Sequence, residues 1–315
     1  MAKIRVGVVG TGHLGKFHAK VYSALKSRTG IEFAGVCDID TSSGKEIARK
    51  YNADFFPRHT DLIDKVDAVS IVVPTVAHYE VAKDFIVAGK HVLIEKPLTK
   101  TVEEAEELIS LAKQKGVIIQ VGHIERFNSA VRAIEPFLEK PRFIECQRLG
   151  SATKKGRIKD VGVVLDLMIH DIDIILALVR SKVRSIEAVG MSTVSDHEDM
   201  ANVRLTFQNN IIADITASRV TKEETRKIRI FQENSYILLD YLHQEAFLFQ
   251  RSGKKLLKKK IPIRKKEPLK AELKSFIDCV RNNRRPLVSG QEGKQALLVA
   301  LDILEKINHN HASLL

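Results

Sequence analysis

The chain has no tryptophan, only three cysteines, four methionines and eight prolines in 315 residues, and its aromatic content is 6%. Each scarcity narrows the possibilities. Cys37, Cys146 and Cys279 are odd in number and lack metal-ligand spacing, so neither a disulfide scaffold nor a zinc module is expected, and a reducing, cytoplasmic setting is. No long hydrophobic run is free of charge. The most apolar stretch, Val161 to Val179, carries Asp166, His170, Asp171 and Asp173, which argues against a membrane span. Ile4 to Val9 reads as a core strand without the layout of a signal peptide. Internal repeats and low-complexity linkers are absent. What remains, 44% hydrophobic and 29% charged residues, is the composition of a globular protein long enough for two domains.

Lysine and arginine outnumber aspartate and glutamate by 51 to 39, a net charge of +12. Such an excess admits an anionic substrate or a nucleic acid, and its distribution decides between them. Much of it lies in Lys254-Lys255, Lys258-Lys259-Lys260 and Arg264-Lys265-Lys266, interrupted by Leu256, Leu257, Ile261 and Ile263. That pattern predicts an exposed edge strand protected by lysines. No aromatic stacking platform or nucleic-acid motif accompanies it, so no nucleic-acid partner is expected.

Up to residue 122 strand-like and helix-like segments alternate, as in a doubly wound parallel sheet. Ile4 to Val9, Glu32 to Cys37, Asp67 to Val73, His91 to Ile94 and Val117 to Val121 are strand candidates, with a weaker one near Asp54 to Phe56. Helices are expected over Leu14 to Lys26, His78 to Ala88 and Val102 to Lys115, the last opened by a capping box at Thr101 and Glu104. Beyond residue 122 a helix over Asn128 to Leu138, a strand ending near Leu149 and a long helix from Val163 to Val179 precede a series of short strands. These are Val183 to Met191, Met200 to Phe207, Ile211 to Ser218, Lys227 to Glu233, Tyr236 to Leu239 and Ala246 to Gln250, with a hairpin turn at Gln208-Asn209-Asn210. Helices over Pro268 to Arg281 and Gly293 to Ile307 close the chain. The fold class expected is α/β: residues 1–122 a Rossmann domain, and 123–315 an α+β domain with an open, mostly antiparallel sheet. The C-terminal helix is left able to pack back on the first domain.

The first strand runs into Gly10-Thr11-Gly12-His13-Leu14-Gly15, and a helix follows. In that context Gly10 makes a tight turn, Gly12 lets the backbone approach a pyrophosphate and Gly15 lets helix and strand pack closely. The diphosphate then sits at the helix N-terminus. Asp38 ends the second strand at the distance expected of the acid that binds the adenosine ribose. A carboxylate there repels a 2′-phosphate and no arginine follows it, so NAD is favoured over NADP.

Glu95-Lys96-Pro97 ends a later strand, at the sheet edge where open α/β folds bind ligands. An ammonium there can stabilise developing alkoxide charge. The 163–179 helix is apolar over most of its surface, yet Asp166, His170 and Asp173 fall within a stripe of roughly 60° at about 100° per residue. Ionisable groups on a buried helix are costly unless paired or functional. Asp166 can orient His170, which exchanges a proton with a substrate hydroxyl, and Asp173 is expected at the substrate. Asp171 points off the stripe and reads as an ion-pair or capping group.

In combination GTGHLG, EKPL and DLMIHDID resemble the glucose–fructose oxidoreductase / inositol dehydrogenase / MocA (Gfo/Idh/MocA) family over essentially the whole chain. The resemblance implies a catalytic Lys96 and a proton-transfer pair Asp166 and His170. It also implies a nicotinamide pocket lined by Pro74, Thr75, His78 and Glu95. Gly122-His-Ile-Glu-Arg126-Phe-Asn128, with Arg157-Ile-Lys-Asp160-Val-Gly, resembles the branch that includes UDP-N-acetylglucosamine 3-dehydrogenases, although the proline usual after RFN is Ser129 here. Arg126 and Asn128 are then expected to reach a sugar, and Arg157, within the basic segment Lys154 to Lys159, to meet a diphosphate. The resulting expectation is an NAD-dependent dehydrogenase that takes a hydride from a secondary alcohol of a nucleotide sugar. It is expected to form a homo-oligomer through its C-terminal sheet. Inositol, a free sugar, another polyol or a dihydrodiol are alternative substrates. A catalytically silent NAD(P)-binding regulator is an alternative of another class, whose mark would be loss of the lysine or the histidine.

Overall fold

The computed structural model describes residues 3–151 and 161–312, without the side chains of residues 27–29 and 310–312. Two compact units share the chain. One runs up to Ile124 and includes Glu267–Lys294; the other comprises Glu125–Lys266 and the chain from Gln295 onward. Among the described residues no helix is long and apolar enough to cross a membrane.

In the first unit, strands β1 (Ile4–Val9), β2 (Ile31–Cys37), β3 (Asp54–Phe56), β4 (Ala68–Ile71), β5 (His91–Glu95) and β6 (Ile119–Gly122) form one sheet in the order β3-β2-β1-β4-β5-β6. Every pairing is parallel. The strands are nearly continuous apolar runs because both faces are covered, by α1 (Gly15–Thr29), α2 (Thr41–Tyr51), α3 (His59–Leu62), α4 (His78–Val87) and α5 (Val102–Lys115). The capping box that opens α5 is present: the Thr101 side chain accepts from Glu104 N–H while Glu104 accepts from Thr101 N–H, both at 3.3 Å. The strand order reverses between β1 and β4, and ligands of open α/β sheets bind at that switch point.

The second unit contains α6 (Ser129–Ala133), β7 (Phe143–Ser151), α7 (Ile169–Val179), β8 (Val183–Met191), β9 (Met200–Phe207), β10 (Ile212–Ser218), β11 (Val220–Phe231), β12 (Ser235–Asp240), β13 (Glu245–Ser252) and β14 (Lys255–Lys260). The sheet order is β14-β13-β12-β11-β7-β10-β9-β8, and only β7 and β10 pair in parallel. Alternate residues such as Ile144, Cys146, Ile228, Ile230 and Ile237 face a core completed by Ile172 and Ile175 of α7. The other face carries a row of rings in register across four strands: Phe143, Phe231, Tyr236 and Phe249, with centroids 5.8, 5.5 and 4.3 Å apart. The basic run forms the exposed edge strand β14, where Lys258 lies 4.2 Å from the Phe247 ring centroid. The hairpin between β9 and β10 turns at Asn210, whose φ is 63°.

The chain departs from the expected layout at four places. The helix expected over 128–138 stops at Ala133 and is followed by a 3-10 turn, Glu135–Phe137; Pro136 has no N–H and cannot continue an α-helix. Strand β11 begins at Val220, earlier than expected, through a register shift between Val220 and Thr225 that the polar run Thr221 to Glu224 conceals. The segment after residue 266 returns to the first unit. Helix α8 (Pro268–Asn282) sets Leu273, Phe276 and Ile277 into the core around Val6, Tyr22 and Phe33. Burying each of these side chains is worth about 1.5–3 kcal/mol. The chain then crosses again within α9 (Gly290–Ala312), whose Ala296, Val299, Ala300 and Ile303 belong to the second core. The fourth lies in the aspartate–histidine element: the helix expected from Val163 to Val179 opens as a π-turn, Val164–Met168, before α7 begins.

Candidate active site

At the switch point of the first sheet the three glycines of the turn serve different needs. Gly10 has φ +91°, and a β-carbon there would lie 2.5 Å from the Val72 carbonyl oxygen. A β-carbon on Gly15 would lie 1.8 Å from the Gly10 carbonyl oxygen. Both glycines are demanded by the chain's own packing. Gly12 is not: a β-carbon there would meet nothing within 4 Å. The open space above Gly12, beside the entrance to α1, is what a dinucleotide diphosphate needs, because a helix N-terminus offers N–H donors and a positive dipole. Leu14 and Phe17 are partly exposed on this side, and the His13 ring meets Phe17 edge-on at 5.5 Å.

Thr11 is buried and joins the turn to the end of β2. Its N–H and its hydroxyl donate to Asp38 Oδ2 at 2.6 and 2.7 Å, and Asp38 Oδ1 accepts from Asp40 N–H at 2.8 Å. The carboxylate of Asp38 is thereby fixed beside the glycine turn, where a ribose-binding acid belongs. These residues fit NAD.

The loop after β4 runs through Pro74 into a 3-10 turn, Thr75–Ala77. His78 opens α4 and is buried, with Nδ1 2.9 Å from the Pro97 carbonyl and Nε2 3.0 Å from the Val73 carbonyl. Burial lowers its pKa, against the pull of those carbonyls. His78, expected to line the nicotinamide pocket, lies between the Val73 loop and the segment after β5, where a neutral imidazole has one N–H to donate to these two carbonyls. Glu95, expected in the same pocket, is also bound within its own unit. Its carboxylate is buried, 3.2 Å from His18 Nε2, and accepts the Lys96 N–H at 3.2 Å. A β-carbon on Gly122 would come within 2.8 Å of it, so Glu95 packs closely against the end of β6. Lys96, half-buried, follows at the carboxyl end of β5, ahead of a cis bond to Pro97.

In the second unit Asp166 lies in the π-turn and His170 in the first turn of α7, both half-buried. The stripe worked out at a regular helical angle does not carry across this junction, because the i→i+5 turn is wider. Asp173, buried on α7, pairs with Arg126 at 3.2 Å. Asp171 is the ion-pair group: it accepts from Arg148 at 2.7 and 3.0 Å and from the Tyr241 hydroxyl, and Arg148 also reaches Glu125 at 3.4 Å. Burial alone would favour discharging Arg148, but Asp171, Tyr241 and Glu125 hold its pKa well above the usual guanidinium value. Asn128, expected to reach a sugar, has its side chain bonded within the second unit. It is buried, its amide donates to Glu125 at 3.2 Å and to the Tyr241 carbonyl at 2.9 Å, and its oxygen caps α6 at Ala130 N–H. Arg157 and the basic segment around it lie outside the described residues.

Sequence reasoning did not single out Glu198, Asp199 and Arg219, which hold the entrance of the π-turn. Their partners lie far off in sequence, so no local spacing marks them. Only the charge of an adjacent acidic pair in a loop hints at them.

Residues 4–123 match the family profile described as "Oxidoreductase family, NAD-binding Rossmann fold", and residues 135–237 match the GFO/IDH/MocA C-terminal domain. The UDP-N-acetylglucosamine 3-dehydrogenase of Acidithiobacillus ferrooxidans is 35% identical over 310 residues, covering 96% of this chain and 97% of that one. A solved structure of that enzyme superposes with a TM-score of 0.91 over 98% of each chain. The scyllo-inositol 2-dehydrogenase (NAD(+)) of Bacillus subtilis is 28% identical, covering 91% of this chain and 89% of its own. With the glycine turn, Asp38 and Lys96 on one unit, the aspartate–histidine element on the other, and these likenesses over both, the chain belongs to the Gfo/Idh/MocA family of NAD-binding oxidoreductases.

Proposed function

We propose that this protein oxidises a secondary alcohol of a nucleotide-linked amino sugar, taking UDP-N-acetylglucosamine at carbon 3 as substrate. The observation that carries this reading is the 35% identity to a UDP-N-acetylglucosamine 3-dehydrogenase across nearly the full length of both chains. NAD, when bound, supplies the acceptor for the hydride of the carbinol carbon. Gly10 to Gly15 and Asp38 hold it, with Pro74 and Thr75 nearer the nicotinamide. His170 takes the hydroxyl proton, Asp166 orients the imidazole, and the Lys96 ammonium stabilises charge on the oxygen as the proton leaves. Arg126, paired with Asp173, faces the sugar.

The test is reduction of NAD and, in parallel, NADP by purified protein with UDP-N-acetylglucosamine, after a check for cofactor already bound. NADH formation that vanishes in Lys96→Ala and in His170→Ala is expected. Turnover with scyllo- or myo-inositol and none with the nucleotide sugar would replace the substrate assignment, a direction supported by the inositol dehydrogenase likeness. Normal turnover in both variants would overturn the residue roles.

We also propose a homo-oligomer joined through the second sheet. The half-exposed row Phe143, Phe231, Tyr236 and Phe249 supports it, since it lies on the side away from α7. Light scattering on Phe231→Asp and Tyr236→Asp should register dissociation. A reducing cytoplasmic setting fits Cys37, Cys146 and Cys279, all free and buried.

A further inference from the structure

Asp166 and His170 depend on an irregular piece of backbone. The π-turn Val164–Met168 is a rare geometry, and such turns persist where their surroundings fix them. The N–H groups at the start of any helix lack intrahelical partners. Here two of them are taken by a single residue outside the helix. Val163 N–H donates to the Glu198 carbonyl at 2.9 Å and Val164 N–H to Glu198 Oε1 at 3.0 Å. A grip by main chain and side chain together fixes both the position and the rotation of the turn. Its carboxylate also suits the positive end of a helix. The fit is close: a β-carbon on Gly162 would fall 1.9 Å from Glu198 Oε1.

Glu198 is itself held by its neighbour. Asp199 is fully buried and gathers the N–H groups of Thr193, Val194 and Ser195 at 2.7, 2.6 and 3.0 Å, with the Ser195 hydroxyl at 2.8 Å. Its own N–H donates to the Met191 carbonyl at 2.8 Å, and its carbonyl accepts from Arg219 N–H at 2.9 Å. The Arg219 guanidinium lies 3.5 Å from the Asp199 carboxylate and donates to the Val161 carbonyl at 2.5 Å. Glu198 and Arg219 thus grip Val161, Val163 and Val164 at the entrance of the turn that carries Asp166.

We propose that Glu198, locked in place by Asp199 and Arg219, is a positioning residue that holds the π-turn and so sets Asp166 against His170. This rests on the proton-transfer roles assigned above. Were the π-turn to relax to α geometry, Asp166 would swing around the helix axis relative to His170 by on the order of one residue, ~100°. Glu198 touches the backbone of the turn and acts through it.

The experiment compares full-length Glu198→Ala, Glu198→Gln and His170→Ala with the parent chain. It measures kcat and KM with UDP-N-acetylglucosamine and NAD from about pH 5 to about pH 9, NAD affinity by fluorescence quenching, and Tm. Loss of the acceptor should cut kcat by about 10- to 100-fold in Glu198→Ala, the scale of a small misplacement of catalytic groups. It should also displace the acid limb of the pH profile while NAD affinity, a property of the other unit, is unchanged. Glu198→Gln keeps an oxygen for Val164 N–H and should recover most of kcat and the parent profile. If Glu198→Ala does not fold, Ser195→Ala, which loosens only the Asp199 knot, should show the same profile displacement in smaller measure. Parent kcat and pH profile in Glu198→Ala, or a glutamine variant as impaired as the alanine one, would overturn the inference. Full turnover in His170→Ala would instead overturn the reading beneath it.

Discussion

Gly12→Ala separates a glycine kept for a ligand from one kept for the fold. A β-carbon at position 12 meets nothing within 4 Å, and among the glycines of this turn only Gly10 has a positive φ. Alanine should therefore be accepted by the folded chain. Removing a glycine from the unfolded ensemble stabilises by about 0.4–1 kcal/mol where the native backbone is compatible. Tm should stay level or rise by about 1–3 °C. The same methyl occupies the space that a diphosphate must enter to reach the N-terminus of α1. Hydrogen bonds to a charged group are worth about 1.5–3 kcal/mol each, so forfeiting roughly one should raise the NAD Kd by about 10- to 150-fold.

Gly10→Ala and Gly15→Ala are the controls. Their β-carbons would fall 2.5 Å from the Val72 carbonyl oxygen and 1.8 Å from the Gly10 carbonyl oxygen, contacts with backbone that cannot step aside. Each should cost at least about 3 kcal/mol, or roughly 6–12 °C in Tm. Thermal melts and calorimetric NAD titration of the three variants read both quantities. Parent-like NAD affinity in Gly12→Ala would refute the placement of the diphosphate over this turn. A loss of Tm in Gly12→Ala as large as in Gly10→Ala would refute the open space itself.

Asp38→Asn removes the charge that Thr11 and Asp40 orient; the ratio of kcat/KM for NAD over NADP should fall by about tenfold or more, roughly 1.4 kcal/mol. Asn128→Ala leaves Glu125 and the Tyr241 carbonyl short of a donor, so it should destabilise by about 1–3 kcal/mol while the sugar KM stays put. Burial works against ionisation of Asp199, yet the N–H groups of Val194 and Thr193 and the Ser195 hydroxyl prevail and hold it at about 2, below the ordinary 3.8. A lowered folded-state pKa contributes stability above the ordinary value and loses it as pH falls toward the folded one, here about 2 kcal/mol. Melts of Asp199→Asn should accordingly lose less Tm than the parent between about pH 4 and about pH 2.

The first sheet was legible because parallel strands covered on both faces leave continuous apolar runs, as in Val92 to Ile94. The second sheet was legible through its alternation and turns. What stayed hidden depends on partners distant in sequence. The return of α8 to the first core is written only as an amphipathic face, which does not name what it packs against. The π-turn is written nowhere in Val164 to Met168, since the residues that hold it, Glu198 and Arg219, sit 34 and 58 positions from the groups they grip.

Three residues that the sequence placed at the site share one physical trait. Glu95, His78 and Asn128 each stand beside a motif, carry polar atoms suited to a ligand, and are buried with those atoms already engaged by the chain. A motif fixes where the backbone goes, but a side chain next to it can point to either side of the strand end. A buried polar group left unpaired costs about 1–3 kcal/mol, so one that faces inward is kept only with its partners. Lys96 is half-buried at the carboxyl edge of the sheet, whereas its neighbour Glu95 is sealed beneath it. Adjacent letters of one motif thus divide into a half-buried group, to which the proposal gives the chemistry, and a sealed one bound by the chain. The same division separates His170 from Asp171, whose carboxylate is bound by Arg148 and Tyr241. Substituting the inward member of each pair should be read first in stability, and substituting the outward member first in turnover.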